Sequence, residues 1–494
     1  MEKRTLTPVV HRLELPEGDV LPLLLRRLRD RPGLLVLDSA GGSPRHWSLL
    51  GFDPFLSFDD PRVAPTSLDG LESLLSDVRL APGSTAEEGL GPFAGGFLGA
   101  LAYELGVRGE ALDLPEPAWP QPRIVGGLYR DWIWWEPASE GPPRAWLIVS
   151  EDSAHGMSAA EDAARRAREI LRLIEPAPRA EEWKSPWPLE GTSEAPGDRT
   201  VPRKTHCARV AAVRDSIGRG EVYQANISHR MISTAPSDPL ELYLRLRETN
   251  PAPYMGFLRF RSGEDACALL SSSPELLLEL EVDPLGQRIA RTRPIKGTVA
   301  RGATPEEDAR LRDSLLTSEK DLAELAMIVD LERNDLGRIA EPGQVTVGPF
   351  PELETYAAVH HLVADVRARV ASAATAMDVV AALFPGGSIT GAPKLRSMEV
   401  IAELEEEGRG FFTGSMGFLD LRGHAALSIL IRTMVHRVQE GEAAVSFHVG
   451  GGITWNSDPG HEDDETLWKA AGMLRALTSS GTSPVTSPVD SQAR

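Results

Sequence analysis

At 494 residues, with 41% hydrophobic and 25% charged, the chain has ordinary globular composition and ample apolar side chains for a large core. Lys and Arg number 52 against 72 Asp and Glu, a formal charge of -20, so nucleic acid and anionic membrane surfaces are excluded as partners and an anionic ligand needs local cations. Cys207 and Cys267 fit neither a zinc site nor a disulfide framework, and no secretory core follows Met1-Glu2-Lys3-Arg4, so a cytoplasmic location is expected.

In chain order, apolar runs at Gly33–Leu37 and Ile133–Trp135 predict strands, and the Ala-, Arg- and Leu-rich stretch 158–175 predicts a helix. Residues 1–175 therefore form a mixed N-terminal region. Pro176, Pro178, Pro186, Pro188, Pro196 and Pro202 break up a charged stretch, so 176–203 reads as a linker or long surface connection. Beyond it, amphipathic patterns predict helices at 204–219, 305–332, 376–382, 393–407 and 461–477, and strands near 255–260, 266–280, 414–420, 426–435 and 443–449. That order predicts an α+β body rather than regular βαβ alternation, ending near residue 478 before a Ser/Thr/Pro/Gly tail, 479–494, expected to be disordered.

Three groups of residues carry chemistry. Lys296, in Arg293-Pro294-Ile295-Lys296-Gly297-Thr298, is held between a proline and a glycine; alone this would read as a surface turn, but the punctuation presents the amine at one defined angle. Ser318 with Asp321 reads as a helix start, and Glu324 lies inside the apolar pattern that follows. Asp458-Pro459 starts a second helix, on which Glu462, Glu465 and Lys469 share one face. Glu462 and Glu465 could simply be solvated, but if Glu324 and Glu465 meet across helices, with Glu462 holding a bound water, the oxygen-rich set suits Mg²⁺. Finally, Gly450-Gly451-Gly452 follows a predicted strand, where bare backbone N–H groups would approach an anion. The run Pro385 to Lys394 fails as a phosphate loop because Ala392 stands where lysine is required, and no Gly-x-Gly-x-x-Gly opens a helix after a strand.

Together with Gly220-Glu221-Val222-Tyr223-Gln224-Ala225-Asn226, Ser273-Pro274-Glu275, Ile328 to Arg338, His360-His361-Leu362-Val363 and Ile431-Arg432-Thr433, these motifs resemble the chorismate-utilising enzymes, the family that includes anthranilate synthase component I. Within it they resemble the members that make aminodeoxychorismate. The match covers most of 204–478 and is weaker in the N-terminal region, through Leu37-Asp38-Ser39 and Pro92 to Gly99. The resemblance implies layered antiparallel sheets wrapped by helices in one large α+β unit. It implies Glu324 and Glu465 as Mg²⁺ ligands with Glu462 in support, and Arg432, Lys469, Gly451, Gly452, Thr390 and Gln224 as binders of chorismate. Lys296 would be the nucleophile, Glu275 its acid/base partner and His361 a group beside the departing hydroxyl.

Family members with lysine at position 296 make aminodeoxychorismate, whereas anthranilate-forming members usually have alanine there. Gln224 argues against the water-using members, which tend to carry lysine at that position. The implied reaction is amination of chorismate to 4-amino-4-deoxychorismate, toward para-aminobenzoate and folate, with ammonia from a separate glutamine amidotransferase subunit, since neither cysteine sits in a nucleophile turn. Phe412 departs from the family, which commonly has tyrosine there. The alternatives are anthranilate synthase component I and a non-catalytic regulatory subunit binding chorismate, or tryptophan at a pocket near Ser39.

Overall fold

The computed structural model describes residues 3–40, 47–84, 89–107, 112–138, 141–174, 197–356 and 359–478. The expected tail at 479–494 and most of the 176–203 connection lie outside these residues. The part of that connection described, from Gly197 on, is not a loose linker: Asp198–Arg199 is a short strand paired with Gln224–Thr234, and a helix begins at Arg203.

Among the described residues the strands form a 13-stranded, a 9-stranded and a 3-stranded sheet. Alternation along the strands builds two of the cores. Leu34 and Val36 join one core while Leu35 and Leu37 join another; Ile133 and Trp135 face the first while Trp132 and Trp134 face the second. Such strands are buried on both faces, which is why they read as continuous apolar runs. The second core also takes Leu98, Phe418 and Ala426 from the 9-stranded sheet, so it is the filling between the two large sheets. Helices cover the outer faces: Leu21–Leu28, Ala159–Ile174, Pro239–Thr249 and Pro459–Leu477 pack on one, Ala376–Leu383 and Glu319–Gly337 on the other. This is the α+β arrangement of antiparallel sheets and helices that the sequence predicts.

Both large sheets take strands from either side of the connection. Leu35–Asp38 pairs with Tyr254–Ser262, and Gly96–Leu101 pairs with Ser415–Asp420. No helix among the described residues is long and apolar enough to cross a membrane.

Two predicted strands are each two strands. The run 266–280 breaks at Ser273-Pro274-Glu275, with Asp265–Ser273 in the 13-stranded sheet and Leu276–Val282 in the 9-stranded one. Likewise 426–435 divides into Ala425–Ile429 and Thr433–Gln439, which belong to different sheets. The predicted helix 305–332 divides into Pro305–Leu316 and Glu319–Gly337, because Ser318 caps the second by accepting the Asp321 N–H at 3.3 Å.

The helix Pro459–Leu477 is anchored by Asp463, whose carboxylate is fully buried. Arg199 donates to it at 2.9 Å and His206 Nδ1 lies 3.0 Å away. Asp463→Ala leaves Arg199 and His206 without their buried partner and is expected to cost about 3 kcal/mol or more; a change below about 1 kcal/mol in urea unfolding would show that the helix is held by packing alone.

Candidate active site

Three of the predicted residues lie where the chain passes between sheets. Pro294 separates Arg288–Arg293, in the 9-stranded sheet, from Ile295–Ala300, in the 3-stranded one, and Lys296 follows at once. Lys296 is thus on a strand, not in a turn. The register shifts between Lys296 and Thr298, with Gly297 at φ 74°, so the glycine absorbs a bulge that re-aims the lysine. Glu275 and Arg432 occupy the two breaks described above, and His361 lies on the strand Val359–Val363 that pairs with the lysine strand.

The lysine amine sits 3.4 Å from the Ser388 carbonyl. Burial pushes it below the usual lysine range; Glu324 and Glu275 pull against that shift, and Lys469 adds to it. Glu275 is 4% exposed, and its Oε1 accepts the Ile295 N–H at 3.3 Å. Burial raises its pKa, opposed by Ser388, Lys296 and Arg432, so the carboxyl is biased towards the protonated, proton-giving form. His361 is held at about 4 by burial and by Arg432, with Nδ1 2.7 Å from the Thr298 hydroxyl, and is a neutral imidazole near pH 7.

Arg432 has φ 51°, a left-handed backbone that costs a non-glycine residue roughly 1 kcal/mol or more. Its guanidinium forms no ion pair with any described carboxylate, and its pKa is lowered by burial although Glu275 pulls it up. Gln224 is fully buried, yet neither amide atom has a hydrogen-bond partner. A strained cation without a counterion and an orphaned amide are the marks of a site shaped for a polar ligand.

The three glycines are not a loop. Gly450, Gly451 and Gly452 continue the strand Glu442–Ile453, opposite Ser228, Ile227 and Asn226. What they supply there is room. A Cβ on Gly452 would stand 2.7 Å from Gln224 Nε2 and 3.5 Å from Lys296 Nζ. One on Gly451 would stand 3.3 Å from both Glu462 Oε2 and Lys469 Nζ, and 3.8 Å from Glu465 Oε1. Lysine, amide and two glutamates thus converge on one bare stretch of backbone.

Lys469 pairs with Glu465 at 2.7 Å and donates to the Gly450 carbonyl at 2.9 Å. Burial raises Glu324, with Lys296 opposing, and raises Glu462, with Ser457 opposing and Glu465 adding to it. For Glu465 burial works upward too, but Lys469 outweighs it and the net shift is downward. Among the described residues no three His, Cys, Asp or Glu side chains are drawn into one metal shell. The donor chemistry nevertheless fits a hard cation: Glu465 repels both Glu324 and Glu462, and a divalent ion sharing its ligands with substrate oxygens relieves that repulsion.

Thr390 is fully buried at the end of the short helix Gly387–Thr390, and its hydroxyl donates to the Gly386 carbonyl at 2.8 Å, leaving its oxygen free to accept. Ser39 stands apart from these residues. Its hydroxyl is spent on the Trp47 carbonyl and its N–H on Asp38 and Ser48. Phe412 stacks on His448 with centroids 5.0 Å apart and lies 5.5 Å from the Arg409 guanidinium. Ser388 and Thr298 were not expected at the site; small hydroxyl residues inside longer motifs carry no signal of their own.

Residues 43–475 match the family model described as chorismate binding enzyme. The chain is 37% identical over 467 residues to an anthranilate synthase component 1 of Haloarcula marismortui, covering 92% of this chain and 89% of that one. It is 36% identical over 392 residues to the aminodeoxychorismate synthase component 1 of Klebsiella aerogenes, covering 78% of each. The crystal structure of anthranilate synthase component I from Streptococcus pneumoniae superimposes with a TM-score of 0.70 at 28% identity, over 94% of this chain and all of that one.

The buried amine is directly testable by competitive labelling with a small acylating reagent as pH rises. Because burial disfavours the ammonium form, Lys296 is expected to titrate below the usual lysine value; a midpoint for Lys296 at or above the usual value would contradict the environment described.

Proposed function

This chain belongs to the chorismate-binding enzymes, and we propose that within them it makes 4-amino-4-deoxychorismate from chorismate and ammonia. The observation that carries the reading is the amine of Lys296, biased towards its neutral form beside a carboxyl biased towards its protonated form. A neutral amine is a nucleophile and a protonated carboxyl is a general acid, and the two are coupled to each other here.

In this reading Arg432 and Lys469 receive the two carboxylates of chorismate, a fork that suits a planar anion and a point charge beside it. Gln224 and the Thr390 oxygen meet the remaining polar edges, and the bare backbone at Gly451 and Gly452 admits the ring. Glu324 and Glu465, with Glu462 in support, would hold Mg²⁺, which supplies positive charge to grip and orient the dianionic substrate. Lys296 Nζ bonds to C2 of the ring as the C4–O bond breaks, and Glu275 gives its proton to the departing oxygen, which leaves as water. Ammonia then bonds to C4 as the C2–N bond to lysine breaks, and Glu275 takes back the surplus proton. His361, neutral and held by Thr298, is placed to hydrogen-bond the departing group without adding a charge that would oppose Arg432.

The ammonia is proposed to come from a glutamine amidotransferase subunit, in keeping with the component 1 names of the relatives. A second reading, anthranilate synthase component I, is favoured by the Haloarcula and Streptococcus relatives. It assigns Lys296 no covalent part. A tryptophan at Ser39 would require that hydroxyl to release the Trp47 carbonyl.

Purified protein given chorismate, Mg²⁺ and ammonium is expected to yield a product with the mass of aminodeoxychorismate; an anthranilate product would establish the second reading instead. Lys296→Ala should lower amination by about a thousandfold or more while leaving chorismate affinity within a few-fold, and wild-type turnover in that variant would remove the covalent step. Glu465→Gln should weaken Mg²⁺ binding in a calorimetric titration by about tenfold or more; an unaltered isotherm would take Glu465 out of the ligand set.

A further inference from the structure

Behind Glu275 lies a second buried carboxyl group that the reaction above does not use. Glu332, on the helix Glu319–Gly337, is 2% exposed, and its Oε2 has no hydrogen-bond partner. The nearby cation is committed elsewhere: Lys394 Nζ lies 2.7 Å from Asp335 and donates to the Leu383 carbonyl at 3.0 Å.

The short helix Gly387–Thr390 packs on this part of the long helix. A Cβ on Gly387 would meet Leu331 at 2.6 Å and Glu332 Cγ at 3.8 Å. The next residue is Ser388, whose carbonyl receives the Lys296 amine and whose side chain acts on Glu275. Glu332 thus adjoins the same segment that touches the reacting amine, and Glu275 and Glu332 repel each other. The buried Arg432 guanidinium acts on Glu275, on its side of the pair.

We propose that Glu332 is a positioning residue that keeps its proton throughout turnover, so that Glu275 alone of the two buried carboxyl groups carries charge. Two carboxylates that repel each other in a dry interior each disfavour the other's ionisation. Burial and the neighbouring Glu275 and Asp335 favour the neutral form of Glu332, while Thr292 and Lys394 oppose it. When Glu275 gives its proton to the departing oxygen, the new carboxylate faces a neutral neighbour; when the proton returns, Glu332 has not changed. A second ionised group would block that cycle by making the charged form of Glu275 too costly.

The inference rests on Glu275 being the acid of the reaction proposed above, but it has a readout that needs no turnover. Infrared difference spectra of the substrate-free protein at about pH 8 are expected to show a protonated-carboxyl band lost in Glu332→Gln, with Glu332→Met as the second variant should the amide disturb folding. In Glu275→Gln the titration midpoint of that band should fall by about one pH unit or more, because the repelling charge is gone. A carboxylate band in place of the protonated one, or a midpoint unmoved by Glu275→Gln, overturns the proposal. With chorismate, Glu332→Gln should keep kcat within about threefold, since an amide mimics a neutral acid; a loss beyond about a hundredfold would mean that the Glu332 proton itself moves, and would also overturn it. If the wild-type protein consumes no chorismate, the reaction assignment fails while the infrared titration still decides the state of Glu332.

Discussion

A sheet buried on both faces leaves no place for an unpaired charge along its length, and the position of the site follows from that constraint. The two large sheets present apolar side chains to every neighbouring layer. Three of the site's polar groups enter where a strand ends and the chain crosses to another sheet: Glu275 in Ser273-Pro274-Glu275, Lys296 just after Pro294, and Arg432 just after residues 430–431. At those crossings the ladder is interrupted, and a side chain is aimed into the gap by prolines, by a bulge at Gly297, or by the left-handed backbone of Arg432. The cost of those irregularities is offset by the cores on either side.

Desolvation then sets the chemistry. The same burial lowers Lys296 and raises Glu275, Glu324 and Glu462, so each of these groups is biased towards its uncharged form, while the buried Arg432 guanidinium remains a cation. Glu465 is the exception, because Lys469 lies against it. One dry environment thus sets the protonation bias of the lysine and of the glutamates around it.

Much of this was legible in the sequence, for local reasons. Asp458-Pro459 and Ser318 mark helix starts through capping chemistry that needs no tertiary context, and helical spacing alone puts Glu462, Glu465 and Lys469 on one face. The strand breaks were not legible: Asp265–Ser273 and Leu276–Val282 are both apolar, and a change of sheet is a tertiary event that composition does not record. The predicted strand ended at residue 449 because glycine weakens a strand, yet Gly450–Gly452 stay in the ladder, where side chains would crowd Gln224, Lys469 and Glu462. That helix Glu319–Gly337 faces helix Pro459–Leu477 could only be conjectured from their carboxylates, as no local pattern relates residues so distant in the chain.

The interleaving of early and late strands bears on how this protein is born. Leu35–Asp38 and Gly96–Leu101 leave the ribosome long before their partners Tyr254–Ser262 and Ser415–Asp420 have been translated. Until then each holds an open, hydrophobic edge, and closing such distant pairings is entropically slow. The site around Lys296 takes Glu462, Glu465 and Lys469 from Pro459–Leu477, so it is complete only once that helix has been translated.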